Sequence, residues 1–504
     1  MFQEYMKTKN ISNKILLSLI LFLFITLSLS KSYKQYAVSS LDGDVAESVL
    51  PYPAIQKIFD DPTGIKTIVN NHKHQGTNRF FSHYFLHKTF RELPILLQHF
   101  FDPINSVYQS IAITKLIIQI LILFLLTVII SGKTNIFSFQ FLISAAVLIP
   151  FFQTNGKYLA HEIGIIDKYV SYCFFYALPF IFLLIFYLPI FLEHLHQKIM
   201  KMNWFLVVMW IIFAIIACFS GPLNAPVILI SNLILLLYQF FCNFQAYSSK
   251  SLIRKGLYAL KSISLRNYLF IIPITILALY STFLGTYNNH YEGLLTLKEI
   301  YLLLPKGIFK SFTTLSYIIF FALLISNYLI VYYKFNKDIQ IKRIFGLYRF
   351  LIIFSLVYLL LLPLGGFRPY RPFILRYDTI LPITVLSIIT ICYTSLFILR
   401  QLKTEKWTPS IKIIYPTVFL LLLIFFLLRN KTYVYNECEK TSLYLISNSK
   451  EDIVVLDNDC SVVGWEPLYL PEESKNYGEL LYLWRITDKP KLYYNLLIPI
   501  EGLQ

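Results

Sequence analysis

The hydrophobic and polar positions of the chain fall into long apolar runs separated by short polar breaks. A helix rising 1.5 Å per residue needs about 20 apolar residues to cross the hydrocarbon core of a bilayer. Runs of that kind are predicted to span at 14–30, 111–131, 136–153, 169–192, 204–220, 227–245, 267–284, 312–333, 350–364, 379–399 and 413–428. The runs at 136–153 and 350–364 are the weakest, both being short. The runs 111–131 and 136–153 are joined only by a few residues around Lys133 and read as a tight hairpin. The fold class expected is an all-α polytopic membrane protein with about 11 transmembrane helices. Two polar stretches interrupt the rhythm, giving four regions: an anchor helix at 1–30, a long first loop at 31–110, a bundle at 111–429 and a C-terminal tail at 430–504. In the loop, Phe80 to Phe101 mixes aromatic, leucine and basic residues, a pattern suited to helices lying in the membrane interface. In the tail, Asp452-Ile-Val-Val-Leu-Asp457 reads as a buried strand between polar turns, so a small α/β-type module is expected there. No internal repeat is evident, which leaves an inverted-repeat transporter without support.

Composition agrees. Of 504 residues, 56% are hydrophobic and 14% charged, with mean hydropathy +0.60; soluble domains carry roughly 25% charged residues. Lys and Arg outnumber Asp and Glu by 45 to 28, a net charge of +17. No basic block separates from the spans, so membrane lipid rather than nucleic acid is the expected partner. With the N-terminus in the cytoplasm, the inward loops hold 20 Lys and Arg in 79 residues, against 8 in 61 for the short outward loops. That asymmetry is what the positive-inside rule requires, and it places the long loop and the tail outside the plasma (inner) membrane. The first run ends Ser28-Leu29-Ser30, which also fits a signal-peptide cleavage site. Cys173, Cys218, Cys242 and Cys392 lie in or beside apolar runs. Cys438 and Cys460 lie in the polar tail and would pair in an oxidising compartment.

Three segments carry candidate chemistry. Asp42-Gly43-Asp44, followed by Glu47, lies about a dozen residues past the first span. Carboxylates at i and i+2 point the same way in an extended segment, and Gly43 lets the backbone approach a ligand closely. Such a pair can hold Mg²⁺ or Mn²⁺ beside a phosphate, or one carboxylate can act as general base. The same residues fit a solvated Asp-Gly turn. The second segment, Gly365 to Asp378, sets Arg368, Arg371 and Arg376 at the outward lipid boundary, with Pro369 and Pro372 stiffening it. Arginine forks match phosphate oxygens, so these three are candidates for a lipid-linked phosphate; headgroup contact or an internal Arg–Asp378 pair is the alternative. The third segment starts with Gln153 and Asn155 and continues through His161, Glu162, Asp167 and Lys168. It could bind sugar hydroxyls, or form an ordinary wet loop. His72, His74, His83 and His87 are too irregularly spaced to suggest a metal site. No Walker A, GxSxG or HExxH run occurs, and charges inside the spans are few.

An acidic pair in the first outward loop, just past the first helix, resembles the GT-C superfamily of membrane glycosyltransferases. The layout is similar too: a cytoplasmic N-terminus, a long first loop with interfacial helices, and a C-terminal module outside. The resemblance implies transfer of a sugar from a polyprenyl-phosphate carrier to a glycan or lipid acceptor of the cell envelope. Asp44 or Asp42 would then be base or metal ligand, Arg368, Arg371 and Arg376 would bind the donor phosphate, and Gln153, Asn155 and Glu47 would touch substrate. A polysaccharide polymerase or ligase, and a lipid-linked saccharide flippase or other carrier, are the alternative expectations.

Overall fold

The computed structural model describes residues 2–152, 163–201, 203–247, 251–263, 265–289, 293–335, 339–402, 407–429 and 435–496. Among them, nine helices are long and apolar enough to cross a membrane: Asn13–Ala37, Pro103–Ser131, Val170–His196, Asn224–Ala246, Asn267–Gly285, Leu315–Lys334, Gln340–Gly365, Leu381–Gln401 and Pro409–Arg429. The chain is a helical, multi-pass membrane protein. Two of the eleven expected spans form shorter helices, Phe139–Phe151 and Trp204–Cys218. The first is shortened where Ser138 caps its start and Pro150 tightens its end into a 3₁₀ turn. The second is bounded by the Asn203 cap, whose side chain accepts from the Leu206 N–H. The run expected at 350–364 is instead among the longest spans, because its helix begins back among polar residues at Gln340. The tight hairpin turns on Gly132, which takes the left-handed conformation at φ 65° and returns its N–H to the Val128 carbonyl, 2.8 Å away.

Two segments read from the sequence as loops contain helices, Leu252–Lys261 and Leu297–Phe312. The second starts at a reciprocal cap between Thr296 and Glu299. Phe80–Leu97 is one helix, burying Ser82, His83, Leu86, Phe90, Pro94 and Leu97 at helical spacing.

The Leu381–Gln401 helix is the axis of the bundle, with every side chain from Leu381 to Ile398 buried. Two of its hydroxyls are satisfied within the helix, Thr390 donating to the Leu386 carbonyl at 2.8 Å and Thr394 to that of Thr390 at 2.6 Å; two others meet a neighbouring helix, Ser395 accepting from the Asn327 amide at 2.8 Å and Thr384 bonding the Tyr317 hydroxyl at 3.2 Å. A second hydrophobic core lies beyond one end of the bundle. It joins Leu41, Val45, Ala46 and Val49 of the first loop and Tyr108 and Phe174 at helix ends to Leu443, Ile446, Leu481, Trp484 and Tyr493 of the tail. Loop and tail therefore share one core. The tail holds helices Glu437–Asn448 and Lys475–Leu483 and a parallel strand pair, β1 (Ile453–Leu456) and β2 (Leu492–Asn495), with Ile453 opposite Leu492. The expected buried strand is half-buried: Val454 and Leu456 face inward, Ile453 and Val455 outward. Cys438 and Cys460 are disulfide-bonded across 22 residues.

One side chain fastens loop to tail. Glu439, fully buried, accepts from the Leu41 N–H at 3.0 Å, the Tyr108 hydroxyl at 2.9 Å and the Val463 N–H at 2.8 Å. Val463 is held at φ 58°, costly for a β-branched residue.

Candidate functional site

The acidic segment is not extended, as the i, i+2 spacing had suggested. Asp42 alone is extended, at φ −135° and ψ 154°, and caps a helix running Gly43–Val49. Val45, Ala46 and Val49 face the shared core, so Asp44 and Glu47, three apart, fall on the opposite face. Asp42 turns inward and is fully buried. Its Oδ2 accepts from the Ser171 N–H at 3.2 Å, while its Oδ1 has no hydrogen-bond partner among the described residues. Gly43 is required here by proximity: a Cβ would meet the Trp465 ring at 2.6 Å. Trp465, from the tail, lies across this backbone, donates its indole N–H to Asp44 Oδ1 at 3.3 Å and meets the rings of Tyr169 and Tyr172 at 4.9 and 5.7 Å.

Burial and the neighbouring Asp44 push the Asp42 carboxyl up to about 7, with Ser171 opposing. Burial and Asp44 likewise push Glu47 up to about 7. Burial raises Asp44 as well, against the Trp465 N–H and the charges of Arg79 and Arg376. Asp42 and Glu47 are thereby poised to exchange protons near neutrality.

The arginine segment packs at the start of the axial helix. Arg371 and Arg376 both donate to Asp378 Oδ2, Arg371 at 3.0 Å, while Asp378 Oδ1 accepts from the Thr379 N–H at 2.7 Å. Against burial, the two guanidiniums hold the Asp378 carboxyl well below the usual carboxylate range. The internal pair is therefore present, but it does not use up the donors. Arg376 Nε and Nη1, Arg371 Nε and Arg79 Nε are buried without a hydrogen-bond partner among the described residues. Arg376 stacks over Tyr172 and Tyr370 at 4.9 and 5.0 Å, and Arg371 donates to the Tyr176 hydroxyl. Arg368 is half-buried and donates to its neighbour Phe367's carbonyl at 2.8 Å; burial and the nearby Arg79 push it down. Ile374, between the arginines, is held at φ 68°, where a β-branched residue is strained by about 1–3 kcal/mol.

Acidic helix and arginine segment thus meet, although more than 320 residues separate them. Tyr172 lies between them, touching Trp465 on one side and Arg376 on the other. Tyr172 and Tyr176 sit on a helix that widens to π geometry over Cys173–Ala177, just before Pro179, which has no N–H to offer Phe175. Beneath them Asp167 accepts from the Tyr377 hydroxyl and the Tyr169 N–H, while Lys115 donates to the Lys168 carbonyl at 2.8 Å. Gln153 and Asn155, expected to touch substrate, lie outside the described residues, as do His161 and Glu162.

Two histidines of the loop are structural: His83 bonds the Ser48 hydroxyl at 3.2 Å and burial pushes it down to about 3, and His74 bonds Thr67 at 3.0 Å. Among the described residues no three His, Cys, Asp or Glu side chains converge as a metal site would need. A divalent ion here would have two protein carboxylates at most, Asp42 and Asp44, and the orphaned Asp42 Oδ1 fits that use. Arg79, Ser171, Trp465 and Glu439 were not foreseen; each is a lone residue in ordinary local sequence. The chain matches no family model, no curated protein and no solved structure.

Proposed function

We propose that this chain is a membrane glycosyltransferase of GT-C-like layout, moving a sugar from a polyprenyl-phosphate carrier to an envelope acceptor at the outer face of the plasma membrane. The observation that carries the reading is the meeting of proton-exchanging carboxyls with buried arginine donors that lack partners, on either side of Tyr172. The Cys438–Cys460 disulfide and the basic bias of the opposite loops support placing this end outside the cytosol and the N-terminus inside.

In this scheme Asp44, open on one side, takes the proton of the acceptor hydroxyl. The acceptor oxygen bonds to the sugar's anomeric carbon as its bond to the phosphate oxygen breaks. The carrier leaves as its phosphate, with the added charge met by Arg371 and Arg376. Asp378 holds both guanidiniums in place beforehand, so little reorganisation is needed when that charge develops. Mg²⁺ or Mn²⁺ held by Asp42 and Asp44 would add positive charge next to the phosphate. The polymerase, ligase and carrier readings gain no separate observation.

The test is replacement of Asp42 or Asp44 by Asn in cells, scoring surface glycan and the pool of lipid-linked sugar while checking membrane levels of each variant. Normal protein level with truncated glycan and accumulated lipid-linked donor is expected for at least one. Normal glycan in both variants, with loss in Arg376→Ala, would return the acidic segment to a turn and favour a polymerase or carrier.

A further inference from the structure

The tail carries a groove that shares no lining residue with the acidic helix and is not used by the scheme above. It has a volume of about 870 Å³, within the range of small-ligand sites, and lies between the end of the Glu437–Asn448 helix and the turn after the Lys475–Leu483 helix. Lys450, Arg485, Lys489 and Lys491 line it, against one acid, Asp488. Lys491 is spent on the fold: buried, it donates to the carbonyls of Ile446, Ser447 and Ser449 at 3.3, 3.2 and 2.7 Å, closing the preceding helix. Lys489 pairs with Asp452. Lys450 and Arg485 are exposed and make no ion pair among the described residues.

One further observation points to a ligand. The Thr487 hydroxyl, on a residue 5% exposed that lines the groove, is buried without a hydrogen-bond partner among the described residues. Buried hydroxyls are normally paired, and an unpaired one costs about 1–3 kcal/mol. Arg485 lines the groove from the left-handed position, φ 56°, that closes the Lys475–Leu483 helix, where its N–H returns to the Tyr482 carbonyl and the Ile486 N–H to that of Leu481, both at 2.9 Å. Beside it Tyr482 is 51% exposed and offers a flat apolar face.

We propose that this groove binds an anionic saccharide: Arg485 and Lys450 grip its carboxylate or phosphate, Thr487 bonds a sugar hydroxyl, and Tyr482 stacks on a ring face. A concave wall with serine and threonine hydroxyls suits a sugar chain better than a membrane surface, which would call for protruding apolar side chains. The inference does not depend on the transferase reading.

The experiment uses the full chain in nanodiscs of neutral lipid, titrated calorimetrically with an oligogalacturonate hexamer, with maltohexaose as the uncharged control. Oligogalacturonate should bind and weaken as salt rises; maltohexaose should bind at least tenfold more weakly. Arg485→Gly removes the charge and suits the φ, so it should fold as well as the parent while weakening binding at least tenfold when combined with Lys450→Ala. Thr487→Val should weaken binding of the acidic hexamer about three- to tenfold. Equal binding of both sugars, no binding of the acidic one, or undiminished binding by the double variant would overturn the proposal. So would binding to phosphatidylglycerol vesicles in place of the hexamer, which would make the groove a headgroup site.

Discussion

Replacing Glu439 by Leu should undock the tail from the first loop. The side chain satisfies three buried donors, the N–H groups of Leu41 and Val463 and the Tyr108 hydroxyl. Each buried donor left unpaired costs about 1–3 kcal/mol, and because the three act as one network the loss should be about 3–5 kcal/mol rather than the full sum. Glu439→Gln is a graded control. Its amide oxygen can keep both partners of Oε2, but its amino group would face the Val463 N–H donor to donor, a loss of about 1–2 kcal/mol. Limited trypsin digestion in detergent reads this directly, since cleavage follows the open population when opening and closing are fast. About 3 kcal/mol corresponds to a rise on the order of a hundredfold in tail cleavage for the Leu variant, and roughly tenfold for Gln. The bundle fragment should remain resistant, because its core is separate. Parental cleavage rates in the Leu variant would refute the reasoning and show that apolar contact alone holds the tail.

Other perturbations test the site's construction. Asp378→Ala strands two buried guanidiniums and should cost about 3–5 kcal/mol in thermal unfolding, with Asp378→Asn falling between it and the parent. Gly43→Ala forces the Trp465 ring away; a loss of about 1–3 kcal/mol and a change in indole fluorescence are expected, the second absent in a Trp465→Phe background. Asp42 has its folded pKa raised to about 7, so between about pH 4 and 7 the folded state holds a proton the unfolded state has lost. Stability should therefore fall as pH rises through that window, by up to about 1.4 kcal/mol per unit, and Asp42→Asn should flatten the slope of a denaturation series. Cys438→Ser with Cys460→Ser should lower tail stability by about 3 kcal/mol, judged from a 22-residue loop and read as trypsin sensitivity matched by the reduced parent.

The apolar runs made most of the architecture legible, because spanning length is set by bilayer thickness and shows in a single sequence. What they hid was local. Ser138 starts one helix late and another, begun at Trp204, ends already at Cys218, so that both fall short of a crossing, and the polar residues after Gln340 conceal a helix that runs on to Gly365. The site was half legible. Asp42, Asp44 and the arginines were found by charge in unusual places, and the Arg–Asp378 pair was foreseen as an alternative. Their meeting was not, since nothing in local sequence says that Arg376 and the Trp465 ring bonded to Asp44 meet one tyrosine, Tyr172. Trp465 and Glu439 were invisible for the same reason: each acts on residues about 400 positions away.

That separation has a consequence for how the protein is made. Leu41 and Glu439 are 398 residues apart, so at a synthesis rate of 5–20 residues per second the Leu41 amide waits about 20–80 s for its acceptor. Throughout that interval the acidic helix has neither its anchor nor the indole that lies across it. A nascent chain stalled between Asp378 and Val463 carries every carboxyl and arginine of the site but cannot assemble them. Competence arrives late and all at once, when the tail folds back onto the loop that emerged first.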